Sequence, residues 1–188
     1  MNKSIIRNKV FILACVILTF SSCDYFETKI ILEKFVDTRI EYPKTLDYFY
    51  EGNDTTSNII DKHSVKMLVY FDSKECSSCN VRHISDWSEI LKYNKWTRGK
   101  IGVIFLFSPN YKEYNEVKHA INNMNLDSLI IILDKDENFI KINPNIPKSK
   151  RYHTFLLDDN NKVILVGSPI KNKNMWELYK KEIIKRSK

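Results

Sequence analysis

Two cysteines three residues apart, Cys76 and Cys79, are the side chains best suited to chemistry in this chain. Sulfurs at that spacing can close a small disulfide, and either can displace a partner held on the other, so the pair is a competent redox couple. As a staple it is poor, because so short a loop removes little entropy from the unfolded chain. A chain of 188 residues can bury most of its apolar surface without such help. The same pair could be half of a zinc site, with His83 at a plausible spacing and His63 and His153 elsewhere. A structural zinc site needs four ligands, usually as two local pairs. The sequence offers no second pair, so no metal and no other cofactor is expected.

The remaining cysteines, Cys15 and Cys23, lie in an N-terminal segment with an export pattern. Lys3, Arg7 and Lys9 make a short cationic start, and Val10 to Phe20 is almost unbroken apolar. That run is too short for a comfortable membrane span and right for the core of a signal peptide. Ser21 and Ser22 then precede Cys23, which resembles a bacterial lipobox, with Phe20 where an aliphatic residue is usual. The resemblance implies a lipoprotein signal peptide over residues 1–22 and lipid attachment at Cys23. It also implies a protein anchored to a membrane of the cell envelope, facing the periplasm or the exterior. An ordinary cleaved signal peptide and an uncleaved anchor are the alternatives. In all three the folded part meets an oxidising space, where thiols do redox work or pair. With Cys15 cut away and Cys23 acylated, only Cys76 and Cys79 can form an intrachain disulfide.

The formal charge is +7, of which the three cations of the first 22 residues carry three, leaving +4. Much of that excess is at the end, in Lys171, Lys173, Lys180, Lys181, Lys185, Arg186 and Lys188. Cations near the end of a helix are favoured by its dipole, and a solvated helix face accounts for them. No basic stripe interleaved with aromatics suggests a nucleic-acid platform, so no nucleic-acid partner is expected. No Ser/His/Asp set, phosphate loop, dinucleotide fingerprint or paired-carboxylate constellation stands out.

The elements that would position the cysteines follow from periodicity. Residues 24–40 read as a tether running into a short helix, with Ile30, Ile31, Phe35 and Val36 near helical spacing. Ile40 to Tyr42 alternates like a short strand, and Glu51 to Ser57 reads as a loop. Val65–Phe71 is a buried strand, Asp72–Glu75 a polar turn, and a helix runs from Ser77 through Val81, Ile84, Trp87, Ile90 and Leu91 to a stop at Gly99. Ile101–Phe107 and Leu129–Leu133 are further buried strands, with a helix over Tyr111–Met124 between them. Asp134–Lys150, holding Pro144 and Pro147, reads as a loop or insertion. His153–Leu157 and Val163–Val166 form an antiparallel hairpin, and Met175–Lys185 is a closing helix. Alternating strands and helices followed by a hairpin make an α/β protein with a mixed sheet.

A buried strand, a turn, Cys-x-x-Cys at the start of a helix, then strand, helix, hairpin and helix resembles the thioredoxin fold. Val69 to Cys79 (Val-Tyr-Phe-Asp-Ser-Lys-Glu-Cys-Ser-Ser-Cys) and Thr154 to Val166 are similar to the corresponding words of exported TlpA-type thioredoxin-like lipoproteins of the Bacteroidetes. The resemblance covers roughly residues 60–186. It implies a central mixed sheet flanked by helices over residues 60–188, preceded by a tether and N-terminal extension over 23–59. It further implies a thiol–disulfide oxidoreductase acting on thiols or disulfides of exported proteins. Cys76 matches the attacking thiol, more exposed and more acidic at the helix start, and Cys79 the resolving thiol one turn inside. Three positions depart from the family. Glu75 replaces an aromatic residue, and its charge disfavours a neighbouring thiolate. Tyr70 stands where a buried acid assists the second thiol. His153 stands where a cis-proline faces the pair, and it is expected to be trans, since a non-proline cis bond costs about 2.5–4 kcal/mol. His153 is either an imidazolium that offsets Glu75 or a surface or hairpin histidine. His63, His83 and His119 are expected at the surface, and Ser77 and Ser78 as helix caps. Without the proline and the acid, a non-catalytic binding or scaffold protein is the alternative, and a metal-handling one, using the thiols with His153, a third.

Overall fold

In the computed structural model, residues 26–97, 100–123 and 128–186 are described. The export segment with Cys23, the stop at Gly99 and Met124 lie outside them. Among the described residues no helix is long and apolar enough to cross a membrane.

A seven-stranded mixed sheet runs through the protein. Its strands are β1 (Asp47–Tyr50), β2 (Asn53–Thr55), β3 (Val65–Phe71), β4 (Ile101–Phe107), β5 (Leu129–Leu133), β6 (Thr154–Leu157) and β7 (Val163–Val166), in the spatial order β2-β1-β5-β4-β3-β6-β7. β3, β4 and β5 are mutually parallel, with Met67 beside Val103 and Phe105 beside Ile131, while β6 runs antiparallel to β3. These central strands are apolar at nearly every position because both sheet faces are covered. Alternation sends Val65, Met67 and Val69 to one core and Leu68 and Tyr70 to the other. The first core is closed by α3 (Ser77–Arg82), α4 (Ser88–Trp96), α5 (Tyr114–Asn122) and α7 (Lys173–Arg186). The second is closed by α1 (residues 26–35), α2 (Asn58–Asp61) and α6 (Asn138–Ile142).

The strands and helices expected around the cysteines are present, and four local expectations are corrected. Ile40–Tyr42 is not a strand: Asp37 and Ile40 donate N–H groups to Val163 and Asn161 carbonyls, and Arg39 makes one isolated bridge to Lys162. The expected loop from Glu51 instead opens a hairpin, in which Glu51 (φ 52°) and Gly52 (φ 79°) make the two-residue turn that joins β1 to β2. Fully buried Phe49 then docks β1 antiparallel on β5, so the N-terminal extension belongs to the sheet. Asp134–Lys150 is not all loop. The buried Asp134 carboxylate accepts the Asn138 and Phe139 N–H groups at 3.0 and 2.7 Å and so starts α6.

The fourth correction concerns the helix after the cysteines. It is in three pieces, with a 3-10 turn over His83–Trp87 between α3 and α4. Val81, Ile84, Trp87 and Ile90 are all buried and recur every three residues. A 3-10 turn, at three residues per turn, keeps such a series on one face, where an α-helix would rotate it away.

Candidate active site at the start of helix α3

β3 ends at Phe71 and the chain turns at once. The Asp72 side chain accepts the Lys74 N–H at 2.9 Å and its carbonyl accepts the Glu75 N–H at 3.1 Å. That turn delivers Cys76 to the N-cap of α3 in extended conformation, with ψ 96°. Cys76 and Cys79 are joined as a disulfide, their Cα atoms 5.2 Å apart. The Cys79 N–H also donates to Cys76 Sγ at 3.2 Å, and the Asn80 N–H to the Cys76 carbonyl at 3.0 Å. The cap is therefore Cys76 itself, not Ser77 or Ser78, which are buried as the first two helical residues. Ser78 Oγ lies 3.6 Å from Cys76 Sγ.

Both cysteines are exposed. What distinguishes them is hydrogen bonding. An N–H aimed at Cys76 Sγ favours its thiolate once the disulfide is opened, and such bonding to the charged form lowers a pKa.

Glu75 and His153 meet beside this turn. A His153 ring nitrogen and one carboxylate oxygen from each of Asp72 and Glu75 all lie within 4.8 Å of one another. Burial, then the Asp72 charge, push the Glu75 carboxyl above its ordinary range; Lys150, with Nζ 4.0 Å from Oε2, and His153 oppose that. His153 is neither a surface nor a strand residue. It is 4% exposed, it precedes β6, and its carbonyl accepts the Tyr70 N–H at 2.8 Å. Its Nε2 lies 2.9 Å from the Pro147 carbonyl, while Nδ1 is buried without a hydrogen-bond partner. All peptide bonds among the described residues are trans, His153 included.

Tyr70 is buried in the second core, against Phe139 and His153, with ring centroids 5.2 and 5.1 Å away. Burial pushes its hydroxyl up to about 12, so it is a neutral phenol in ordinary solution and no substitute for a carboxylic acid. His83 and His119 are exposed as expected. His63 is half-buried, its ring packed over Gly102, where an added Cβ would come within 2.9 Å.

Sequence reasoning passed over Asp72 and Lys150, reading the first as turn and the second as the end of a loop. The three-residue spacing of Asp72 and Glu75 was the available signal for the first. Lys150 is 75 residues beyond Glu75, and only the tertiary fold pairs them.

No protein-family model matches the chain, and no curated protein matches it in sequence. Solved structures do match in shape. A protein of Chlorobium tepidum assigned as the thiol:disulfide interchange protein DsbE superposes with a TM-score of 0.52 at 12% identity, over 79% of this chain and 99% of that one. AhpC of Enterococcus faecalis gives 0.52 at 9% identity, over 82% and 96%. A thioredoxin-like protein of Porphyromonas gingivalis gives 0.47 at 17% identity, over 79% and 94%. At such identities the likeness is one of fold. The chain is a mixed α/β protein of thioredoxin-like fold, with a Cys76–Cys79 disulfide at the start of α3.

Proposed function

We propose that this protein is a lipid-anchored thiol–disulfide oxidoreductase of the TlpA type, acting on exported proteins. One observation carries the redox reading: the Cys76–Cys79 disulfide is exposed at a helix start, with Cys79 N–H bonded to Cys76 Sγ. In the reducing direction the Cys76 thiolate attacks a substrate disulfide. A Cys76–substrate bond forms, the substrate S–S bond breaks, and the leaving thiolate takes a proton. The Cys79 thiolate then attacks Cys76 sulfur, closing the internal disulfide and releasing the second substrate thiol. The substrate gains two electrons, the pair loses two, and the oxidising direction is the same sequence reversed.

Single-cysteine variants test the roles. Alkylation of Cys76 in Cys79→Ser should reach half its maximal rate at lower pH than alkylation of Cys79 in Cys76→Ser. Adding Glu75→Gln should lower the Cys76 midpoint further, because removing a neighbouring negative charge favours the thiolate. Equal midpoints, or the lower one at Cys79, would overturn the assignment.

The anchor rests on the lipobox-like Ser21-Ser22-Cys23 after an apolar run. Cells fed a labelled fatty acid should incorporate label into the wild type and not into Cys23→Ala. Label retained in the variant would remove Cys23 from the account.

A non-catalytic binding protein is the second reading. It is favoured by Tyr70 and His153 at the two positions where the family's acid and cis-proline are expected. The trapping experiment below separates the two readings.

A further inference from the structure

We propose that Asp72, Glu75 and His153 form a divalent-cation site, of the kind that suits zinc, beside the turn that leads into the cysteine pair. It is independent of the redox reading and needs neither sulfur.

The three donor atoms already lie within 4.8 Å of one another. Ligands held at about 2.0–2.2 Å from one ion in a tetrahedral set stand about 3.3–3.6 Å apart, so side-chain rotation has to draw the donors together by up to about 1.5 Å to close the set. His153 supplies the second, separate observation. Its ring is buried, its Nε2 is engaged with the Pro147 carbonyl at 2.9 Å, and its Nδ1 has no partner. If Nε2 donates its proton to that carbonyl, the lone pair falls on Nδ1. A backbone carbonyl that fixes the tautomer in this way is the usual outer partner of a metal-bound histidine. A buried nitrogen left unpaired costs free energy, and a bound cation would satisfy it.

The charges agree. Two carboxylates and a neutral imidazole make a site of net charge −2, which a dication neutralises. Lys150, three-quarters exposed at the side chain, supplies part of that positive charge and is free to swing away. Three mixed nitrogen and oxygen ligands leave a fourth position for water or a substrate donor. Asp72 and His153 also line a cleft of about 360 Å³ with Tyr70, Ile146, Pro147 and Lys148, which gives an ion a way in.

The test is titration of the full-length protein in detergent, disulfide intact, with Co²⁺ followed by its visible absorption and with Zn²⁺ by calorimetry. One equivalent should bind. Binding should survive in Cys76→Ser/Cys79→Ser and weaken more than about tenfold in Asp72→Asn, Glu75→Gln and His153→Gln, since even outer partners are worth about 10–100-fold. Lys150→Ala should tighten it, an effect that a purely structural role for Lys150 would not produce. Glu75→Gln, at a partly exposed position, decides the matter if the buried histidine variant fails to fold. No saturable binding, binding indifferent to Asp72→Asn and Glu75→Gln, or binding lost with the two cysteines would each overturn the proposal.

Discussion

Replacing Cys79 with alanine should convert a turning-over protein into a trap. Cys76 keeps its exposed position at the start of α3 and can still attack, but no neighbouring thiol remains to release the product. The fold holds the two residues with Cα atoms 5.2 Å apart, and groups placed that well react as if at about 10⁵ M or more. Free thiols in solution fall short of that by several orders of magnitude, so release should slow by a comparable factor while attack changes little. On a non-reducing gel, Cys79→Ala expressed in cells should appear as heavier bands that collapse on reduction. Cys76→Ala/Cys79→Ala should show none. A scaffold with an inert disulfide gives a clean lane in both. A folded Cys79→Ala protein with reactive Cys76 and no adducts would promote the binding-protein reading.

The second large effect concerns the platform under the site. Phe105 lies in the centre of β4, with no exposed surface. Its ring meets Trp87 edge-on at 5.1 Å and Phe71 at 5.9 Å. Phe71 is the last residue of β3 before the cysteine turn, and Trp87 ends the 3-10 segment that follows α3. Phe105→Ala should therefore cost about 3–5 kcal/mol, the usual range for a buried aromatic reduced to alanine. Urea unfolding of wild type and variant measures it directly. Because the ring supports both flanks of the cysteine segment, alkylation of the reduced pair should also lose selectivity for Cys76. A loss below about 1 kcal/mol would mean that this core is looser than its burial indicates.

The frame around the cysteines was legible because it is local. Val65–Phe71, Ile101–Phe107 and Leu129–Leu133 are continuous apolar runs, and buried parallel strands have no other way to be written. Asp47–Tyr50 was hidden because its partner β5 lies about 80 residues away and the Glu51-Gly52 turn lacks the commoner Asn-Gly word. The 3-10 turn inside the helix after Cys76 is hidden because a three-residue recurrence of apolar residues is also compatible with an α-helix over so short a stretch. The two cysteines were evident from type and spacing alone. His153 was singled out by its place in the motif, yet its burial follows from the Pro147 carbonyl and the Tyr70 ring, which only folding brings to it. Asp72 was invisible as a site residue because a turn aspartate has an ordinary local explanation, its bond to the Lys74 N–H.

The central claim is that Cys76–Cys79 is a working redox couple and not a structural bond, and its reduction potential tests this most directly. The protein should be equilibrated with graded thiol–disulfide buffers at pH 7, quenched by alkylation, and the reduced fraction read by mass. Working oxidoreductases fall between about −270 and −120 mV, whereas structural disulfides of secreted proteins lie below about −300 mV. A reversible two-electron transition within the first range is the expected result. A pair that stays oxidised below about −300 mV, or that never equilibrates with the buffer, would contradict the account.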